Sequence, residues 1–378
     1  MNICKRWPLL LAGGLLLAAL LPWIIWTVSP GRPLQVAILD KTVPDASYRE
    51  HKGLVWLLNQ QRYVKNNGSA YDYSRDYYGF HPEDGTDYSV SELPEEVVSA
   101  DLIYVADTYG VSAADFYGAS PPEGAAAHLY GGLTLGDAEL LTGAAGRGAT
   151  LVAEFNAFAS PTPPSAAARM YPLLGVRWTG WTGRYFPELG EGGEVPEALR
   201  QAYADQEGSP WPYSGPGLLL VHSDGGMLVL EEGRALEEGG VGMTFTPEGR
   251  AFSGVKKTIR YNYWFDIVTP TGDSSVLANY RLKVTDEGRA VLTGAGLSAE
   301  FPAVVARRTD VYTAYYFAGD YADYNRYPFW RRYTGWETLK SAFTFDRNHS
   351  EDAFYWDVYV PLMKAVLKEV YDRKEGAD

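Results

Sequence analysis

Four segments of the chain run apolar and then stop on an acid: residues 36–39 before Asp40, 102–106 before Asp107, 151–153 before Glu154, and 315–319 before Asp320. Short apolar runs of this kind read as buried strands. If the four are parallel strands of one sheet, their carboxyl ends meet at the edge where open α/β sheets bind ligands. That edge is acidic, and Asp40, Asp107, Glu154 and Asp320 are the candidate catalytic groups. Two such carboxylates can act as acid and base in glycoside hydrolysis if they stand about 5 to 10 Å apart across a cleft. Each acid taken alone also has a structural reading, because Asp after a strand caps helices and closes turns. Their recurrence is what points to a shared site.

Other chemistries lack their residues. Cys4 is the only cysteine, so the chain beyond the N-terminus forms no disulfide and has no thiolate nucleophile or thiolate metal ligand. No serine stands in a G-x-S-x-G frame. His51, His81, His128, His222 and His349 are scattered and form no H-E-x-x-H pattern. A carboxylate-rich edge can bind Ca²⁺ or Mg²⁺ through oxygen, but no loop of alternating acids is present, so no metal site is expected. Residues 294–299 fit G-x-G-x-x-A and lead into Glu300, Phe301 and Pro302, a poor helix start, so no dinucleotide site and no cofactor is expected.

Residues 177–186, RWTGWTGRYF, are the best candidate for a ligand surface. Trp178, Trp181 and Tyr185 offer aromatic faces, and Arg184 offers a planar guanidinium that neutralises acids or grips an anion. Tyr109 and Asn156, each two residues past a strand-end acid, complete the candidate ligand-binding set. Aromatic packing over the sheet edge is the competing reading of these side chains, and of the aromatic run at 321–336.

The elements that must position these groups alternate. After the first strand, Asp45 or Ser47 is placed to cap a helix carrying Leu54, Leu57 and Leu58. Residues 137–146 read as a second helix that Gly148 ends before the strand at 150–154. Strands alternating with helices imply a parallel sheet covered on both faces. From 188 the texture changes to glutamate- and glycine-rich turns separating β-like runs at 218–221, 227–230, 258–268 and 276–284. The chain then returns with a strand at 311–317 and closes on a helix with Leu362, Val366, Leu367 and Val370, Pro361 in its first turn.

The strand VAILD ending at Asp40, the segment ADLIYVADTYG ending at Gly110, and GGLTLGDAELL followed by GRGATLVAEFNAF make this layout resemble the class I glutamine amidotransferase-like superfamily. The resemblance implies a flavodoxin-like α/β domain over 36–187, a mostly β insertion over 188–310, and a return to the first sheet over 311–378. In the amidotransferases a cysteine nucleophile stands on a tight turn after a strand. Here that turn reads Ala153, Glu154, Phe155, Asn156, which excludes glutamine hydrolysis by that route.

The N-terminus adds an anchor. Trp7–Val28 contains no charged residue, and about 20 apolar residues in a helix cross a bilayer. Lys5 and Arg6 precede it and only Arg32 follows closely, so 1–6 are expected in the cytoplasm, 29–35 as a stalk, and the rest outside. With 47 acids against 33 bases and a net charge of −14, nucleic acid is excluded as a partner. The expectation is a membrane-anchored extracytoplasmic protein that binds a glycan or other envelope ligand at the acidic, aromatic edge. A hydrolase at that edge and an envelope docking scaffold are the alternatives.

Overall fold

The computed structural model describes residues 7–83, 87–118, 122, 124–324, 333, 335–336 and 351–377. Its centre is a ten-stranded mixed sheet. Five of the strands are parallel: Val36–Asp40, Tyr78–Pro82, Leu102–Val105, Thr150–Ala153 and Thr313–Phe317. Numbered along the chain, they lie in the order second, first, third, fourth, fifth, which is the flavodoxin-like order. All but Tyr78–Pro82 are buried along their whole length, as strands covered on both faces must be.

The sheet is not purely parallel. Beyond Thr313–Phe317 it continues through antiparallel strands Glu300–Arg308, Ser275–Val284, Leu236–Phe245 and Ile259–Arg260, and beyond Tyr78–Pro82 it ends on antiparallel Tyr88–Ser91. The segment expected to form a separate β insertion therefore supplies much of the main sheet. Glu300–Arg308 joins Thr313–Phe317 through residues 309–312, too short for a crossover, and such strands pair antiparallel. The remaining β runs build a second, four-stranded sheet from Met227–Glu231, Gly217–His222, Val176–Phe186 and Phe265–Pro270. It touches the main sheet at the carboxyl end of the fifth parallel strand, where Phe265 bridges Gly319 and the Asp266 N–H donates to Ala318 O at 3.1 Å.

Local chemistry explains most helix boundaries and corrects some expectations. The first crossover helix, Arg49–Gln60, starts without a side-chain cap; Tyr48 precedes it in the left-handed region, and Asp45 instead accepts from the Ser47 N–H in a turn. Helix Leu135–Ala145 starts on a reciprocal capping box between Thr134 and Asp137 and stops at Gly146, short of Gly148. The C-terminal helical segment begins earlier than Pro361 implies. Residues Tyr355–Tyr359 form a π-helical stretch just before Val360–Ala377, and this wider turn precedes the position where Pro361 has no N–H to offer.

Trp7–Val28 forms one helix. Among the described residues, however, no helix is long and apolar enough to cross a membrane, so the span expected there is without support from the structure. The side chains at 7–12, 15, 18 and 19 lie outside the described residues. The carboxyl end of this helix is fixed to the domain: Trp26 Nε1 donates to Gln60 O at 2.9 Å, and the Arg62 guanidinium lies 4.9 Å from the Trp26 ring centroid.

Candidate functional site

The flavodoxin-like order reverses direction between the first and third parallel strands, and the crevice outside their carboxyl ends is where such sheets bind ligands. Asp40 ends the first strand and Asp107 follows the third by two residues. Glycines permit the close packing here. Gly79 has φ +136°, and a Cβ on it would stand 1.7 Å from Asp40 O; one on Gly319 would meet the Tyr280 and Tyr261 hydroxyls at 2.4 and 2.6 Å.

Asp40 is fully buried and both its oxygens are occupied. Oδ1 accepts from the Thr42 N–H at 2.9 Å, and Oδ2 stands 2.5 Å from His51 Nδ1. His51 Nε2 lies 2.7 Å from Tyr73 O. A carbonyl only accepts, so Nε2 carries a hydrogen, and a second proton lies between Nδ1 and Oδ2. The dyad is thus a closed unit with two protons. Lys41, also fully buried, donates to Asp137 Oδ2 at 2.6 Å and to Gly132 O at 3.0 Å, which makes the capping acid of helix Leu135–Ala145 its counter-ion as well.

Asp107 Oδ1 accepts from the Tyr109 N–H at 2.6 Å, and Asn156 Nδ2 approaches Oδ2 at 3.5 Å. Burial, reinforced by the Asp40 charge, pushes its carboxyl up to about 7. Glu154 is more enclosed. Tyr104 OH donates to Oε1, and the Tyr321 and Ala322 N–H groups donate to Oε2 at 3.2 and 3.3 Å. Burial pushes Glu154 up to about 8 despite these donors. Asp320 is half-buried, and burial together with the charges of Asp323, Glu154 and Asp107 holds it well above the carboxylate range. The four strand-end acids thus lie close enough for one to raise the next.

Sequence reasoning missed several of their neighbours. Glu50, in the first turn of the first crossover helix, is 2 % exposed. Its Oε1 accepts from Arg49 Nε at 2.8 Å, while Oε2 is buried and accepts no hydrogen bond among the described residues. Burial, then Asp320 and Asp323, raise it well above its ordinary value. Asp323 is raised by burial, with Arg49 at 3.9 Å opposing the shift. Asp266 of the second sheet accepts from Tyr316 OH at 2.5 Å and Thr182 Oγ1 at 3.1 Å, and burial pushes it to about 6. The sequence signal for Glu50 and His51 is their place in the helix turn that follows the first strand end. Asp323 and Asp266 lie in segments where no pattern marks them.

The aromatic candidates lie on the second sheet. Trp178 Nε1 donates to Trp181 O at 3.0 Å, Trp181 packs on His222 at 4.9 Å, and Tyr185 OH donates to Glu232 at 2.8 Å. Arg184 pairs with Glu194 and lies over Phe186 at 4.8 Å. Of this group only Arg184 reaches the acids electrostatically, lowering Asp323. Tyr109 is 48 % exposed beside Asp107, and Asn156 adopts a left-handed backbone at φ +66°. Most of the aromatic run at 321–336 lies outside the described residues.

No family model matches the chain. No curated protein matches it. Among solved structures it is similar to a ThuA-like protein from Parabacteroides merdae ATCC 43184, at 12 % identity and a TM-score of 0.36, over 76 % of this chain and 79 % of that one. It is also similar to a ThuA-like protein from Bacteroides uniformis ATCC 8492, at 10 % identity and a TM-score of 0.35, over 91 % and 93 %. The carbohydrate deacetylase Agd3 is similar at 12 % identity and a TM-score of 0.32, over 76 % of this chain and 29 % of that one, so the chain spans under a third of its length. ThuA-like proteins have the class I glutamine amidotransferase-like fold. These likenesses are loose, and the flavodoxin-like assignment rests on the strand order.

Proposed function

We propose that this is a membrane-tethered, extracytoplasmic protein that binds a hydroxyl-rich ligand, a glycan or another envelope component, at the acidic strand-end edge. The observation that carries this reading is that Asp40, Asp107, Glu154 and Asp320 line the carboxyl edge of four adjacent parallel strands of a flavodoxin-like sheet with no thiol at the nucleophile turn. Within this edge, the half-buried Asp320 and the Asp107 oxygen met only by a long Asn156 contact are the acceptors left for hydroxyl groups. Tyr109 supplies an open aromatic face beside it. Binding is favoured over catalysis because both oxygens of Asp40 and of Glu154 are held by internal donors. Tethering is argued from the uncharged run of the sequence over Trp7–Val28.

The full chain in detergent, screened on an array of envelope glycans, should give hits that Asp107→Asn and Tyr109→Ala weaken by about tenfold or more. An empty array, or hits indifferent to both changes, would falsify the reading. Protease added to intact cells should degrade the domain while a cytoplasmic marker survives; a protected domain reverses the orientation.

One observation favours hydrolysis as a second reading. A carboxyl raised to about 7, such as Asp107, holds a proton that a general acid donates at neutral pH. Release of cleaved product from an array hit decides for the enzyme.

A further inference from the structure

We propose that Glu50, Asp320 and Asp323 form a site for a hard divalent cation of the size of Ca²⁺. One carboxylate oxygen from each lies within 4.8 Å of the others. Three oxygens spread evenly around one Ca²⁺ at about 2.4 Å stand about 4.2 Å apart, so small side-chain adjustments let the three share such an ion; Mg²⁺, at about 2.0–2.1 Å, needs a tighter set.

The acids alone do not make the case. The second observation is Glu50 Oε2, an acceptor in a side chain that is 2 % exposed and takes no hydrogen bond among the described residues. A buried carboxylate oxygen left without a donor costs stability, and a cation is the ligand that removes this cost for an acceptor-only group. Among the described residues Arg49 is the side-chain cation in contact, at 2.8 Å from Glu50 and 3.9 Å from Asp323. Like-charge crowding and burial disfavour ionisation of the three acids, and a divalent ion among them would relieve that repulsion.

The rest of the geometry suits an all-oxygen site. Asp320 and Asp323 flank the Tyr321 and Ala322 amides that Glu154 Oε2 holds, so the turn between the two acids is fixed before an ion arrives. The nearby imidazole, His51, has both nitrogens engaged and is not offered as a ligand, which disfavours zinc-type coordination. The Asp323 side chain is 18 % exposed and provides an opening to solvent. An ion here would clamp the first crossover helix to the loop after the fifth parallel strand, on the edge where the ligand is placed. The proposal does not depend on that ligand.

The test uses the full chain in detergent, stripped with EDTA. Tb³⁺, a Ca²⁺ substitute whose emission is sensitised by adjacent tyrosines such as Tyr321, should give a saturable signal that Ca²⁺ displaces, and Ca²⁺ alone should raise Tm. Binding with Kd on the order of 10⁻⁴ M is expected, in the range of extracellular calcium modules. Glu50→Gln and Asp323→Asn should each weaken it by about tenfold or more. If Glu50→Gln fails to fold, the more exposed Asp323→Asn decides. No saturable Tb³⁺ or Ca²⁺ binding at millimolar concentration, or unchanged affinity in folded Asp323→Asn, overturns the proposal. A glycan hit that survives EDTA leaves the ligand reading standing when the ion fails.

Discussion

Around Asp40 and Glu154 every carboxylate oxygen meets a donor, whereas Glu50, Asp320 and Asp323 crowd about Arg49 and leave Glu50 Oε2 with none. The two sets share an edge and a residue chemistry. They differ in whether the fold has already used them. A carboxylate saturated by internal donors stabilises and positions its surroundings; one left short of donors is available to something from outside. Position at a strand end, which all four expected acids share, does not separate the classes. Hydrogen-bond satisfaction does.

The largest effect should come from opening the saturated set. His51→Ala leaves Asp40 buried without its imidazole and removes the His51 contact to Tyr73 O, and breaking a buried pair in this way costs about 3–5 kcal/mol. Asp40→Asn should cost much less, under about 1.5 kcal/mol, because its amide N–H can donate to Nδ1 while Nε2–H keeps Tyr73. Denaturant melts of the two variants check this. Equal losses would mean that charge, not proton count, holds the dyad, and would weaken the distinction between the sets.

A smaller effect, with a pH signature, is expected at Glu154. Its folded carboxyl is raised to about 8 from an ordinary 4.5, so folding takes up a proton between those values and stability contributed by this group falls as pH rises toward 8. Glu154→Gln keeps an acceptor for the Tyr321 and Ala322 amides and gains an N–H that can donate to Tyr104, which can pass its own hydrogen to Tyr359 at 3.0 Å. The variant should be more stable than wild type by about 1–2 kcal/mol at pH 8, with the gain fading toward pH 5. Melts across that range read the slope directly, and a gain that is constant with pH would mean Glu154 stays ionised throughout.

The parts of this edge that were legible in the sequence are those with local causes. Apolar runs ending at Asp40, Asp107 and Glu154 mark strands because burial on both faces demands continuous apolar residues. The antiparallel extension was not legible, since the runs at 236–245 and 275–284 have the same β character whichever sheet receives them, and only tertiary pairing decides. Nor was the trio Glu50, Asp320 and Asp323. Its members come from the first crossover helix and the loop after the last parallel strand, far apart in the chain, so no single loop pattern advertises them. The aromatic segment at 177–186 was legible by its composition, but its placement on a second sheet depends on pairing with Gly217–His222 and Phe265–Pro270, contacts between distant segments.

Asp107 lies between the two sets and gives the smallest and most discriminating effect. It accepts one good hydrogen bond, from the Tyr109 N–H, and one long contact from Asn156, and it is 8 % exposed. Asn at this position keeps the acceptor for Tyr109 and removes the charge that burial disfavours. With the folded carboxyl raised to about 7 from 3.8, the wild-type group stays protonated below that value and is ionised at a cost above it, so its contribution to stability declines as pH climbs to about 7 and is flat beyond. Asp107→Asn should therefore match wild type near pH 4 and exceed it by no more than about 1 kcal/mol at pH 8, where solvent access to the partly open carboxylate moderates the gain. If Asp107 instead serves only to close its turn, Asp107→Asn shows no pH-dependent gain, while Asp107→Ala destabilises by about 0.5–2 kcal/mol at every pH, as loss of a capping side chain does. Melts of both variants at pH 4, 6 and 8 separate the outcomes by slope. A uniform loss in Asp107→Ala with no gain in Asp107→Asn would move Asp107 into the saturated set with Asp40 and Glu154, and would leave Asp320, Asp323 and Glu50 as the acids available to a ligand.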